Sequence, residues 1–92
     1  MNKAFESRIR LGIMSILMVN DSADFATLKE QLQITDGNLA SHLSALEKLG
    51  YIEVRKQFVG KKPNTSYTAS VFGKKAFLEH LDALEELLKR SI

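Results

Sequence analysis

The chain reads as mainly α with a small β-hairpin, an α+β domain formed as a single unit over 1–92. Three observations predict this. Leucines recur at spacings of four and three from Leu39 to Leu49, the signature of one helical face. After Gly50 the apolar period falls from 3.6 to 2, and a turn rich in Gly, Lys, Pro and Asn separates two short strands. From Ser70 onward the helical period returns and holds to residue 90.

Composition bounds the function. A chain of 92 residues, 45% hydrophobic and 26% charged, has material for one core. So short a chain buries a modest share of its surface. A deep ligand cavity or a multi-residue catalytic site is therefore not expected, and self-association is a common way to gain stability. The net charge is only +2, so its distribution says more than its total. The absence of cysteine rules out disulfides, thiolate metal sites and a cysteine nucleophile. Glu6, Arg8 and Arg10 interrupt any N-terminal apolar core. Neither a signal peptide nor a membrane span is expected, and a cytoplasmic location is.

Residues 4–20 are expected to form the first helix. Phe5, Ile9, Ile13, Ile16 and Leu17 make one apolar stripe, and Leu11, Met14 and Met18 make another. A helix apolar over most of its circumference needs two partners. Asn20 to Asp24 is a turn by composition. Thr27 then caps a brief helix, 28–33, with Glu30 placed for a capping box. Gln33 and Ile34 lead into a helix over 36–49. Thr35 is its N-cap, Asp36 suits the positive end of its dipole, and Gly50 supplies the left-handed residue that ends it. Its outward face holds Asn38, Ser41, His42, Ala45 and Lys48, with no acid between Asn38 and Ala45. Two short helices, the second with a small polar face, form a helix-turn-helix arrangement.

The hairpin spans 51–69. Ile52, Val54 and Phe58 are expected on one side, with the turn at 59–64 and the return strand at 65–69. Arg55, Lys56, Lys61 and Lys62 fall between residues 55 and 64, where there is no acid, so this hairpin concentrates the positive field. Ser70 caps the last helix, 71–90. Phe77, Leu81, Leu84 and Leu88 form its seam, widened by Leu78 and Leu87.

Three segments carry a resemblance to a known group: Asn38 to Ile52, Lys56 to Tyr67, and Ser70 to Phe77. They contain His-Leu between helical leucines, a Leu-Gly-Tyr-Ile corner, and a Ser-x-x-Gly-basic start to the last helix. With this element order the chain resembles the small stand-alone winged-helix transcriptional regulators related to the MarR and ArsR families, over about residues 5–88. The resemblance implies a winged helix-turn-helix fold, a recognition helix at 36–49, a wing at 55–66, and a homodimer built from the first and last helices. The extra helices that form effector pockets in larger relatives are missing. So are the Cys/His sites of the metal-sensing branch. Neither a small-molecule effector nor a metal trigger is therefore expected.

On this reading the partner is double-stranded DNA and the function is sequence-specific transcriptional regulation, with repression the expected mode. Asn38, Ser41 and His42 come within reach of base edges in the major groove, and Asn suits bidentate contact with adenine. Asp36, Gly37 and Ala45 lie along the approach, and Gly37 permits near contact of backbone and phosphate. Thr35, Lys48, Arg55, Lys56, Lys61, Lys62 and Asn64 are expected at the phosphate backbone or minor groove, giving affinity rather than sequence choice. Leu11, Met14, Met18, Phe77, Leu81, Leu84, Leu87 and Leu88 are expected at the dimer interface. His42 and His80 are the only histidines, and no carboxylate stands at ligand spacing with either. No cofactor is expected, and no residue constellation supports an enzyme. The alternative is a winged-helix protein–protein interaction module without DNA binding.

Overall fold

The computed structural model describes residues 2–91. A short 3-10 helix, Lys3–Glu6, precedes α1 (Arg8–Val19). Then follow β1 (Ala23–Asp24), α2 (Phe25–Leu32), α3 (Asp36–Lys48), β2 (Ile52–Val59), β3 (Lys62–Ala69) and α4 (Val71–Arg90). The sheet is antiparallel with order β1-β3-β2, so β3 is central. This is a winged helix-turn-helix.

The first helix departs from expectation. The chain is extended at Ser7, whose hydroxyl accepts from the Arg10 backbone N–H at 3.3 Å and so caps α1. Phe5 lies outside α1 but still reaches the core, stacking on Tyr51 at 5.4 Å and meeting Phe77 edge-on at 5.6 Å. The helix is apolar on several sides because it contacts α2, α3, α4 and β3 of its own chain. The core therefore claims Met14, which is fully buried with Ile13 and Leu17. Met14 belongs to the core and is withdrawn from the expected dimer interface.

Two further expectations are corrected. The cap of α2 is Asp24, which accepts from the Thr27 backbone N–H at 2.8 Å; Thr27 lies inside the helix. The backbone N–H and then the hydroxyl of Thr27 hold the Asp24 carboxyl below its ordinary value of 3.8. The residues read as a turn also contain β1, which pairs Ala23 with Tyr67 and Asp24 with Ser66. Two residues leave little periodicity to see.

The hairpin is longer and tighter than its composition implies. Val59 pairs with Lys62, leaving Gly60 and Lys61 as the turn, and Pro63 pairs with Phe58 inside the ladder. Gly60 has φ +66, the conformation that such two-residue turns require. The strands run past the core, so Phe58 is 74% exposed although it shares a strand face with buried Ile52.

The corner after α3 fixes the rest. Gly50 has φ +78, and the N–H groups of Gly50 and Tyr51 return to the carbonyls of Glu47 (2.9 Å) and Leu46 (3.0 Å). Ser70 reaches the same corner: its N–H donates to the Tyr51 carbonyl at 3.0 Å and its hydroxyl to the Gly50 carbonyl at 2.6 Å. That hydroxyl also accepts from the Gly73 N–H at 2.9 Å, capping α4. The end of α3 and the start of α4 are thus one hydrogen-bonded unit.

Candidate nucleic-acid interface

Leu39, Leu43 and Leu46 anchor α3 in the core, which turns the rest of its circumference outward. The turn before it is made by Gln33, left-handed at φ 53, whose N–H bonds the Lys29 carbonyl at 2.9 Å. Thr35 then caps α3 by accepting from the Asn38 N–H at 3.2 Å. Its hydroxyl oxygen is engaged as an acceptor, and its side chain remains exposed.

Asn38, Ser41 and Lys48 are exposed along the outward face, and Ala45 is half-buried. Gly37 is exposed, and a Cβ built there meets no atom within 4 Å. The fold itself does not need glycine at this position, although glycine within a helix costs about 0.5–1 kcal/mol relative to alanine. Asp36 is the one acid in the first turn and pairs with Lys29 of α2 at 2.8 Å. Both side chains are well exposed, so the pair adds little stability. It does offset a negative charge at the point where a polyanion would approach.

His42 is not a freely presented side chain. It is half-buried, and its Nδ1 accepts from Arg10 Nε at 3.1 Å. Burial first, and the Arg10 charge second, lower its pKa from 6.5. Neither Arg10 nor Lys29 was marked by the sequence: each meets α3 through the fold, with no local pattern to announce it.

Arg55, Lys56, Lys61 and Lys62 are all exposed on the hairpin. Strand alternation puts Arg55 and Lys56 on opposite faces, so the positive field surrounds the wing. Asn64 is half-buried and, after Thr27, helps hold the Asp24 carboxyl low. Its side chain is thus directed towards α2, and it is a weaker candidate for a backbone contact than its neighbours.

At the other end of the molecule the α4 seam begins in the core and runs off it. Phe77 is 4% exposed and packs on Phe5, so it too is withdrawn from the expected dimer interface. Leu84 is half-buried, and Leu81, Leu87 and Leu88 are exposed, Leu88 by 65%. Leu11 and Met18 are half-buried on α1. Among the described residues, no group of three or more His, Asp or Glu could hold a metal ion, and no helix is long and apolar enough to cross a membrane.

Comparison with known proteins gives three kinds of likeness. The family model for the winged helix DNA-binding domain matches residues 9–88. An uncharacterized protein of Methanocaldococcus jannaschii is 33% identical over 87 residues, 95% of each chain. The structure of a transcriptional regulator homologue from Pyrococcus horikoshii superimposes with a TM-score of 0.87 at 29% identity, covering 94% of this chain and 85% of that one. NadR, in complex with 4-hydroxyphenylacetate, superimposes with a TM-score of 0.70 at 27% identity, covering 98% of this chain and 68% of that one.

Proposed function

The chain belongs to the winged helix DNA-binding domain family, and from that premise we propose that it is a homodimeric, sequence-specific transcriptional regulator acting as a repressor in the cytoplasm. The N-terminal half of α3 enters the major groove, where Asn38, Ser41 and His42 meet base edges. Thr35, Asp36, Gly37, Ala45 and Lys48 line the approach. Arg55, Lys56, Lys61 and Lys62 hold the flanking backbone or minor groove, with Asn64 at the margin.

One observation carries this reading. The exposed face of α3 is small and polar, its only first-turn acid is paired to Lys29, and four exposed cations stand on the adjoining wing. A duplex needs that combination; a protein partner does not. The dimer is supported by Leu81, Leu84, Leu87 and Leu88, a seam the chain leaves largely uncovered, with Leu11 and Met18 as its half-buried neighbours. NadR holds 4-hydroxyphenylacetate on a similar frame. Small aromatic acids therefore belong among the ligands to assay, and the expectation of no effector is not retained.

The test is fluorescence anisotropy with duplex DNA over a range of salt. Affinity that falls steeply with salt supports the proposal. A second reading, a protein-interaction module, draws on Phe58 and Val59, exposed and apolar at the wing tip. Absence of DNA binding at low salt would favour it.

A further inference from the structure

Arg10 and His42 are 32 positions apart in the chain and meet between α1 and α3. A guanidinium has only donors, so the imidazole nitrogen that faces it has to be bare. A neutral imidazole carries one proton, which then resides on the other nitrogen. Here Nδ1 faces Arg10, and the proton falls to Nε2. His42 Nε2 has no hydrogen-bond partner among the described residues and is not fully buried.

We propose that Arg10 is a specificity-determining residue: it locks His42 as the Nε2–H tautomer and makes it a fixed hydrogen-bond donor on the recognition helix, admitting a base that offers an acceptor and rejecting cytosine at the contacted position. The proposal rests on the DNA-binding reading above.

The chemistry follows from the groove. Guanine (N7 and O6), adenine (N7) and thymine (O4) each offer an acceptor there, whereas cytosine offers the N4 donor. A donor fixed on Nε2 bonds any of these three and is left unpaired against cytosine. With Arg10 absent, the ring can put its proton on either nitrogen. It can then donate or accept, and the discrimination fades. The lowered pKa of His42 keeps the ring neutral near pH 7, where the two tautomers differ in what they read. Arg10 touches no base in this scheme; it acts through His42 as a positioning residue.

The test has two arms on the full chain. The first is nitrogen NMR of histidine-labelled protein without DNA. Wild type is expected to show a bare Nδ1 and a protonated Nε2. Arg10→Ala is expected to show a mixture, and Arg10→Lys, which keeps a donor, to restore the wild-type pattern. A protonated Nδ1 in the wild type, or a pattern unchanged in Arg10→Ala, overturns the proposal. The second arm is selection from a random duplex library. Arg10→Ala is expected to lose the exclusion of cytosine at one position of each half-site, with affinity for the wild-type site falling roughly three- to tenfold. Cytosine placed at that position is expected to weaken wild type strongly and Arg10→Ala much less, since the variant's ring can turn an acceptor to N4. An equal loss of affinity on all sequences, with the exclusion intact, overturns the base-reading role. Failure of wild type to bind any duplex overturns the regulator reading and that role together, while the NMR arm still reports separately on Arg10's hold over the ring.

Discussion

Gly73 runs so close to Tyr51 that a Cβ on it would collide with the Tyr51 carbonyl. The approach is backbone against backbone, at the corner where Ser70 also bonds Gly50 and Tyr51. It couples the end of α3 to the start of α4, and so couples the proposed reading head to the proposed dimer helix.

The three helical glycines are expected to separate on substitution by alanine. Gly73→Ala should cost about 1–3 kcal/mol or more, because neither backbone can yield locally. Gly12→Ala should cost less, because its Cβ crowds the Leu32 Cδ2 tip, at 2.6 Å, a side-chain end that can move. Gly37→Ala should gain about 0.5–1 kcal/mol while weakening DNA binding. Urea denaturation gives the first quantity and anisotropy the second.

The cap of α2 makes a sharp comparison. Asp24→Ala should lose about 1 kcal/mol and Thr27→Ala much less, since Asp24 accepts the capping bond. The Asp24 pKa is depressed in the fold, so its contribution is present above about 3.8 and is lost as pH falls through the lower folded value. Acid unfolding of the two variants checks the assignment.

His42 gives a pH dependence of its own. Its folded pKa lies below 6.5. As pH falls below that value the unfolded chain takes a proton that the folded chain does not, so stability declines until the folded pKa is passed. Its full contribution is present above 6.5. His42→Gln should flatten the decline in urea midpoints between neutral and mildly acid pH, and Arg10→Ala should flatten it in part.

Much of this was legible in the sequence, for identifiable reasons. The bounds of α3 could be read because Thr35 and Gly50 mark its ends and leucines mark its buried face. The Ser70 cap was legible too, although its second role at the Gly50 corner was not. What escaped depends on packing between distant residues. Met14 and Phe77 look like a spare stripe and a seam until α1 is seen enclosed by its own chain. Arg10 and Lys29 look like ordinary surface cations until α3 is seen against α1 and α2. The two residues of β1 acquire meaning only beside β3.

The uncovered part of the α4 seam predicts self-association. Leu88→Asp changes an exposed residue and should leave the fold intact while shifting a dimer mass towards monomer. Met14→Asp should instead unfold the chain, since it places a charge in the core. Sedimentation with circular dichroism separates the two.

The wing should act through charge alone. Changing Lys61 and Lys62 to Ala should leave stability within about 0.5 kcal/mol. The salt slope of DNA binding should fall by about 0.9 for each phosphate that is no longer neutralised. An unchanged slope would remove the wing from the mechanism.

The most direct measurement is selection of duplexes from a random library by the wild-type chain, repeated across salt concentrations. The expected result is enrichment of a two-fold sequence with half-sites about one helical turn apart, the enrichment being lost with Asn38→Ala and Ser41→Ala together. No retention of any duplex at low salt, or retention without a preferred sequence, would contradict sequence-specific DNA binding by this chain.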